Sequence, residues 1–336
     1  MTLIILARDY PNPGGRMTFV KQLIRMNPDY LILSRQCSKH NVRHIKCITN
    51  ALFEYHLRTF FELIKIPGEK IIFGTGLSAL GGVIYSKLFR TKVIYNLSGL
   101  RGGTAHTELM QKHKKGIFPI RKAYRLLTDY LSLSLSDKIV VPTDYAKKSL
   151  VSKYKKFSDK IVVINEGADI SDAKKLKINN AILFYKTDYK LFSLVKESLA
   201  RIHPNISLIY IVPNKQIELH HKKQVKILKA SLPTVIRSSK LFVGLPEIEY
   251  HSTTILEALK LKVPMILSDA GWIREEFASF PEILISEPTS QNIIKRIEDF
   301  LANPTIIAIK SREASKILCR KYDIEKSLKQ VSSLFS

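Results

Sequence analysis

The chain has 336 residues, which suits two domains of roughly 150 residues better than a single core. Its three cysteines lack CxxC spacing, which argues against a disulfide framework or a zinc site, and its longest uncharged stretch, 71–86, is too short to span a membrane. The 54 Lys and Arg residues outnumber the 29 Asp and Glu residues, which gives a formal charge of +25. This charge favours anionic partners such as nucleotide phosphates, anionic lipid or nucleic acid. A lysine-rich proteome or solubility alone is an alternative explanation.

The first half of the sequence alternates short apolar runs with helical patterns. Strands are predicted at 2–7, 29–34, 42–47, 70–76, 92–99, 137–144 and 160–165. Helices are predicted at about 16–26, 50–65 and 78–89, and the second of them carries Leu52, Phe53, Leu57, Phe60, Phe61 and Ile64. Continuous apolar strands separated by helices indicate a parallel sheet that is covered on both faces.

The second half repeats this alternation after a polar segment at 170–180. Its predicted strands are 181–186, 207–212, 240–245, 263–269 and 282–286. The whole pattern predicts two doubly wound α/β domains that are joined near residues 168–178. Neither half contains the GxGxxG fingerprint, which lowers the expectation of an NAD enzyme.

Two glutamates follow the predicted strand 240–245, in the stretch EYHSTTILEALKLKVPMILSDAG. Ligands of open α/β sheets bind beyond the carboxyl ends of the strands, and a helix that begins near Thr253 or Thr254 favours an anion at its N-terminus. Glu257 can there accept both hydroxyls of a ribose. Two alternatives remain open: Thr254 to Glu257 fits a capping box, and Glu249 alone fits a solvated loop residue.

Three segments, taken in order, carry a family resemblance. PNPGGRMTFVKQL at 11–23 contains a Gly-Gly loop and a helix, NEGAD lies at 165–169, and EYHSTTILEALKLKVPMILSDAGWIREE begins with an E-x7-E pair. The last segment includes Glu249, Glu257, Ala258, Pro264, Asp269, Gly271 and Glu275. Together they resemble the N-terminal Gly-Gly loop, the N-G-V-D element and the donor-site signature of family 4 retaining glycosyltransferases with the GT-B fold.

The resemblance implies two Rossmann-like parallel-sheet domains that face each other across a cleft, where a nucleotide-sugar binds. Residues 1–169 would form the acceptor-side domain and 170–319 the donor-binding domain. A C-terminal helix at about 320–336 would pack back on the first domain. The implied reaction is the transfer of a hexose-type sugar to an acceptor with retention of anomeric configuration.

The resemblance also assigns roles to individual residues. Glu257 would hold the ribose hydroxyls, and Glu249 would hold a hydroxyl of the donor sugar. Lys186 and Lys190, in FYKTDYK, would neutralise the diphosphate. The family more often has arginine first and a spacing that is one residue longer, which leaves the identity of the basic pair open; a solvated loop is the alternative for either lysine.

A histidine of the family has no direct equivalent after the strand KVIYNLSG, where this chain has Asn96, Leu97 and Ser98. His106, in RGGTAHTE, is the candidate for that role, and a surface histidine in a glycine-rich loop is the alternative. A catalytically inactive relative is a further hypothesis. The remaining donor-binding candidates are the Gly-Gly loop, the helix start and the loop glycine: Gly14, Gly15, Thr253, Thr254 and Gly271.

The reaction requires stabilisation of negative charge on a leaving diphosphate, which fixed amides, a helix N-terminus and lysines can provide without a metal. No D-x-D cluster of the metal-dependent type follows a strand, so neither a metal nor another cofactor is predicted. No enzymic nucleophile is assigned. The alternatives are a nucleotide-sugar epimerase of the same fold and a DNA-glucosylating or nucleic-acid-binding protein.

The segment QKHKKGIFPIRKAYRLL at 111–127 mixes basic and apolar residues. It resembles the basic amphipathic segment with which some members of the family contact anionic lipid, and a basic loop ahead of a core helix is the alternative. The predicted acceptor is therefore a glycan, lipid-linked or close to a membrane. Because the first residues lack a signal-peptide pattern, the expected location is the cytoplasm, with peripheral contact at the inner face of the membrane.

Overall fold

The computed structural model describes residues 2–7, 10, 15–35, 42–47, 52–97, 118–171, 173–178, 180–211, 217–221 and 224–335. The chain divides into two compact units. The first unit comprises Met1–Glu166 and Ile324–Ser336, and the second comprises Gly167–Asp323. The predicted divisions, after 169 and at about 320, lie within a few residues of these boundaries.

The first unit contains a seven-stranded parallel sheet of order β3-β2-β1-β4-β5-β6-β7. Its strands are β1 Thr2–Leu6, β2 Leu31–Ser34, β3 Val42–His44, β4 Lys70–Thr75, β5 Lys92–Asn96, β6 Lys138–Val141 and β7 Ile161–Val163. Its helices are α1 Gly15–Met26, α2 Leu52–Ile64, α3 Leu80–Phe89, α4 Phe118–Leu135 and α5 Asp144–Lys153, with short 3-10 turns at Gly76–Ser78 and Lys155–Lys160.

The second unit contains a mixed sheet of order β11-β10-β9-β8-β12-β13-β14. Its strands are β8 Ala181–Tyr185, β9 Ser207–Ile211, β10 Ile217–His221, β11 Gln224–Ile227, β12 Leu241–Gly244, β13 Met265–Ser268 and β14 Leu284–Ile285. Its helices are α6 Tyr189–Ile202, α7 Leu232–Arg237, α8 Thr253–Lys260, α9 Trp272–Phe277, α10 Ser290–Ala302 and α11 Thr305–Lys321, with a 3-10 turn at Pro281–Ile283. The prediction of two Rossmann-like α/β domains is confirmed.

The last helix, α12 Ile324–Ser333, belongs to the first unit. Leu328, Val331 and Phe335 join the buried apolar cluster that covers one side of the first sheet. The ring of Phe335 lies edge-on to that of Phe73 on β4, with 5.8 Å between the ring centres. Because these contacts bury three large apolar side chains, the C-terminal segment closes the core of a unit that begins more than 300 residues earlier.

Helices α2 and α3 pack closely because α3 carries glycine where the helices meet. A Cβ atom on Gly81 would lie 2.4 Å from the carbonyl oxygen of His56 on α2. Such a distance is far inside van der Waals contact, so any other residue would push the helices apart. The pair therefore behaves as one layer on the first sheet.

The β10–β11 hairpin was not predicted from the sequence. Strand β10 pairs antiparallel with both β9 and β11, and every residue of β11 is exposed. The segment lacks the continuous apolar run that marks a buried parallel strand, because it extends the sheet at its edge. Among the described residues, every helix is too short or too polar to span a lipid bilayer.

The order of strands in the second unit reverses direction beside β8. The chain leaves β8 for β9 on one side and later returns to β12 on the other side. Strands β8, β12 and β13 are mutually parallel, so their carboxyl ends meet at the same edge. This is the topological switch point, at which open α/β sheets bind ligands.

Candidate functional site

Three loops at the switch point of the second unit supply the candidate residues. Lys186 directly follows β8, Glu249 lies in the loop after β12, and Gly271 lies in the loop after β13. Sixty-three residues separate Lys186 from Glu249, yet the lysine Nζ donates to the Glu249 Oε2 across 2.7 Å. The sheet topology therefore brings together two residues that the resemblance had assigned to one site.

Glu249 is buried, with 4% of its surface exposed, so its interpretation as a solvated loop residue is wrong. Burial raises the pKa of its carboxyl group. The Lys186 ammonium and the backbone amides of His251 and Tyr250, which donate to the carboxylate, counteract part of that effect. The residue thus organises its own loop, a local role that the sequence did not indicate.

Lys186 combines a partly exposed ammonium with an unusual backbone. Burial lowers the pKa of Lys186, but the charges of Tyr185 and Glu249 and hydrogen bonds with both raise the pKa by more, so it lies above the ordinary value. Its φ of 51° falls in the left-handed region, which costs a non-glycine residue about 1 kcal/mol or more. An ammonium has three donors, and its hydrogen bonds with Glu249 and Tyr185 occupy two of them, which leaves one for an anion.

Helix α8 begins at Thr253, as predicted, but its cap differs from the predicted one. The Ser252 side chain is the N-cap and accepts a hydrogen bond from the Ile255 amide at 3.3 Å. Glu257 therefore lies two residues beyond the position from which a glutamate closes a capping box, and that alternative is wrong. Thr253 is half-buried and Thr254 buried in the first turn, where backbone amides favour an anion.

Glu257 is the most unusual carboxyl group of the site. Only 8% of its surface is exposed, and its Oε2 has no hydrogen-bond partner among the described residues. Burial, with a smaller contribution from the charge of Asp169, raises the pKa of Glu257 to about 8. Since buried polar atoms are nearly always paired in folded proteins, this unpaired carboxyl oxygen indicates a partner from outside the described residues, such as a ligand.

The end of the NEGAD segment lies beside α8. The Lys260 Nζ donates to the Ala168 carbonyl oxygen at 2.6 Å, which holds Ala168 and Asp169 against the helix that carries Glu257. The segment therefore contributes a negative charge near Glu257. In the first unit, the Asn165 carbonyl accepts a hydrogen bond from Ser327 on α12 at 2.5 Å.

Gly271 connects the loop after β13 to the loop after β12. Its φ of 58° and ψ of −124° form a combination that only glycine adopts readily. This turn directs the Trp272 amide to the Glu249 carbonyl oxygen at 2.7 Å, and the Trp272 indole donates to the Tyr322 hydroxyl at 2.6 Å. Gly271 was predicted from the sequence as a site residue, whereas Trp272 and Tyr322 were not. The position of the chain's one tryptophan directly after Gly271 was the signal that could have indicated Trp272.

Other predicted residues are not joined to this group. Lys190 is exposed on the first turn of α6, and the carboxylate of Asp188 accepts from its backbone amide at 2.9 Å and caps the helix. Gly15 is the first residue of α1. Gly14 and His106 lie outside the described residues. The roles of all four stay predictions.

The end of β5, near which the resemblance predicts a histidine, holds a buried polar pair. Asn96 is at the end of β5, and its Nδ2 donates to the Glu166 Oε1 at 3.0 Å. Residues 98–117 lie outside the described part of the chain, and with them most of the basic portion of 111–127. Helix α4 begins at Phe118 with Pro119 in its first turn, where proline is tolerated.

Metal-ligating residues do not cluster in the part of the chain that the structure describes, where no three His, Cys, Asp or Glu side chains are placed to share an ion. The prediction of a metal-independent site stays a prediction. The polar groups at the switch point are therefore an ion pair, an unpaired carboxyl group and a helix N-terminus, a set that suits hydroxyl and phosphate groups.

Comparison with known protein families gives one match. Residues 210–317 match the family model described as glycosyl transferases group 1. This range includes Glu249, Glu257 and Gly271 but not Lys186. The comparison with curated proteins found no match.

Solved structures of similar fold cover the whole chain. HepE of Anabaena in complex with UDP-glucose superposes with a TM-score of 0.75 at 13% identity, over 100% of this chain and 99% of that one. Sucrose-phosphate synthase from Thermosynechococcus elongatus gives 0.70 at 13%, over 99% and 98%. The UDP-GlcNAc 2-epimerase from Neisseria meningitidis bound to UDP-GlcNAc gives 0.62 at 15%, over 99% of each chain. The chain therefore has the GT-B fold of these structures, and its residues 210–317 match the group 1 glycosyltransferase family model.

Proposed function

We propose that the protein transfers a sugar from a nucleotide-diphosphate sugar to an acceptor, with retention of anomeric configuration and without a metal. The observation that carries this proposal is Glu257. Its unpaired, buried oxygen lies on the helix that begins beside the Lys186–Glu249 ion pair, at the switch point of the second sheet. Ligands that the neighbouring structures contain, UDP-glucose and UDP-GlcNAc, offer the matching groups.

Glu257 is proposed to bind the ribose of the nucleotide. A ribose presents two adjacent hydroxyl donors, and an ionised carboxylate can accept one with each oxygen. Burial favours the protonated form of Glu257 when no ligand is bound. Donor binding should therefore displace the carboxyl proton, because the two hydroxyls stabilise the charged form that the empty site disfavours.

Lys186 is proposed to bind the diphosphate, while Glu249 orients the sugar. The ammonium already forms hydrogen bonds with Glu249 and Tyr185, and its charge and remaining donor can stabilise charge on the leaving phosphate. Lys190 on α6 is proposed as a second cation. Glu249 is held by an ammonium and two backbone amides, an environment that supports a hydrogen-bonding role toward a sugar hydroxyl rather than a nucleophilic role.

The proposed reaction exchanges one bond at the anomeric carbon for another. The bond to the diphosphate oxygen breaks, the acceptor oxygen bonds to the same face of the sugar, and the acceptor proton leaves with the diphosphate. A lipid-linked or membrane-proximal glycan is proposed as the acceptor, supported by the formal charge of +25. An epimerase of the same fold is the alternative, which the group 1 glycosyltransferase domain does not favour.

A thermal-shift screen of nucleoside diphosphates and UDP-sugars tests the donor site. A ligand present at 100 times its dissociation constant should add about 2.7 kcal/mol to the free energy of unfolding. Glu257→Ala should lose this shift. Asp299→Asn, which alters an exposed carboxylate on α10 of the same unit, should keep it. The absence of a shift with every nucleotide would contradict the proposal, and conversion of UDP-GlcNAc to its epimer without an acceptor would replace transfer by epimerisation.

A further inference from the structure

Helix α2 of the first unit exposes a stripe of large apolar side chains to solvent. Residues 53, 57, 61 and 64 recur at helical spacing and fall within an arc of about 80° at about 100° per residue. Phe53 is 64% exposed, and Leu57, Phe61 and Ile64 are each about half exposed. The core-facing side of the same helix is formed by different residues, among them Tyr55 and Leu63. The stripe is therefore a second apolar face and not an edge of the core.

The stripe continues onto α3. Phe60 lies between Phe61 on its own helix and Phe89 on α3, with 5.7 Å and 6.4 Å between the ring centres. The Phe89 ring stacks on Tyr85 at 4.5 Å. Ile84 and Leu88 share the exposed side of α3. We call the whole surface the outer α2–α3 face, which comprises Phe53, Leu57, Phe61, Ile64, Ile84, Leu88 and Phe89.

Positive charge borders the outer α2–α3 face. Arg90, at the end of α3, and Lys65, at the end of α2, are both exposed. The acidic residues of α2 are neutralised, because Glu54 pairs with Arg58, and Glu62 with Lys65, each at 2.8 Å. Glu62 also accepts from a second arginine, Arg43, at 2.8 Å. The border thus carries one net positive charge from Arg43 and Lys65 against Glu62, and another from Arg90.

We propose that the outer α2–α3 face docks the protein on an anionic lipid bilayer. Aromatic and aliphatic side chains on one face with basic residues at its border are the arrangement by which helices lie at a membrane surface. A second copy of the chain would bring a formal charge of +25 against the same charge, which opposes self-association, whereas anionic headgroups attract it. The inference does not depend on the proposed transfer reaction.

Vesicle binding tests this proposal. The protein should sediment with vesicles of equal parts phosphatidylglycerol and phosphatidylcholine, bind phosphatidylcholine vesicles weakly, and lose binding as salt increases. The double variant Phe53→Ser, Phe61→Ser should lower the partition coefficient by about tenfold or more. The matched control Ile306→Ser, Ile317→Ser removes two equally exposed residues from α11 and should bind as the wild type does.

A tryptophan reporter tests the same surface without removing it. The chain's one tryptophan, Trp272, is fully buried in the second unit, so a second one at position 61 is distinguishable by its exposure. The emission of Phe61→Trp should shift to shorter wavelength with anionic vesicles. An unshifted emission, vesicle binding that the serine pair leaves unchanged, or a dimer in solution that the serine pair dissociates would each overturn the proposal.

Discussion

Helices α8 and α2 both depart from the usual distribution of polar and apolar side chains, in opposite directions. Helix α8 buries the carboxyl group of Glu257, one oxygen of which lacks a hydrogen-bond donor within the described part of the chain, and α2 exposes Phe53 and Phe61 to solvent. Neither arrangement favours stability, since buried polar groups need partners and exposed aromatic rings lose their favourable transfer from water. For each departure we propose a ligand of the matching chemistry, a sugar–phosphate group at α8 and an apolar membrane layer at α2.

Glu257 on α8 and the exposed rings of α2 should affect the free energy of unfolding differently. A buried ionisable group affects stability in a pH-dependent manner, whereas an exposed apolar side chain affects it little at any pH. The following substitutions separate these two contributions, beginning with the largest expected effect.

Glu257→Gln should stabilise the protein at pH 8. Because the folded-state pKa is about 8, above the ordinary 4.5, the unfolded chain loses this proton first as the pH rises. The contribution of Glu257 to stability is thus fully present below pH 4.5 and is lost progressively up to about pH 8. At pH 8 the variant should gain about 3–5 kcal/mol, and at pH 4.5 almost nothing. Urea unfolding at both values measures this; a difference that does not change with pH would contradict the burial argument.

Lys186→Met should destabilise the second unit by about 2 kcal/mol, because it leaves the Glu249 carboxylate buried without its ammonium. The expected loss is smaller than for a fully buried pair, since 44% of the lysine side chain is exposed. Adding Glu249→Gln to the same variant should restore part of the stability. If the two losses instead add, the ion pair does not couple them.

Gly271→Ala should cost about 1–2 kcal/mol, because alanine strains the backbone at φ 58° and ψ −124°. It should also weaken binding of UDP, since the Trp272 amide would leave the Glu249 carbonyl. Gly68→Ala is the control: it too places alanine at a positive φ, 78°, with open space around the Cβ position. Equal weakening of UDP binding by both variants would show that Gly271 does not act through this loop.

The pair Phe53→Ser, Phe61→Ser should change the free energy of unfolding by less than about 0.5 kcal/mol per site, because both rings are already in water. Leu63→Ala, on the buried side of the same helix, should cost about 2–5 kcal/mol. Thermal and urea unfolding compare them. A large loss of unfolding free energy in the serine pair would show that the outer α2–α3 face stabilises the core. The proposed difference between α2 and α8 would then be contradicted.

The parallel strands of the second sheet and much of the candidate site could be predicted from the sequence because the relevant signals are local. A buried parallel strand is a continuous apolar run, so β8, β12 and β13 were found within one or two residues. Glu249 and Glu257 lie on either side of the start of α8, so their closeness in sequence already places them near each other. The ion pair with Lys186 was not predictable from spacing, because it depends on β8 and β12 being neighbours.

The cap of α8, the buried side of α2 and the β10–β11 hairpin could not be predicted, because neighbouring residues offer equivalent local alternatives or because tertiary packing decides between them. Ser252 and Thr254 can each cap α8, and only the backbone shows that Ser252 does. The apolar pattern of α2 predicts a helix, but large apolar residues occupy both its buried and its exposed side, so the pattern alone does not show which side is buried. Every residue of β11 is exposed and β10 buries only Ile217 and His220, so no core periodicity marks the β10–β11 hairpin.

Calorimetric titration of UDP tests the central claim, that Glu257 binds the ribose as a carboxylate. At pH 7, in buffers of different ionisation enthalpy, the wild type should release up to about one proton more than Glu257→Gln, because its carboxyl group has a pKa of about 8 before binding. The variant should bind UDP much more weakly, and Asp299→Asn should match the wild type. Equal affinity and equal proton release for Glu257→Gln and the wild type would contradict the account.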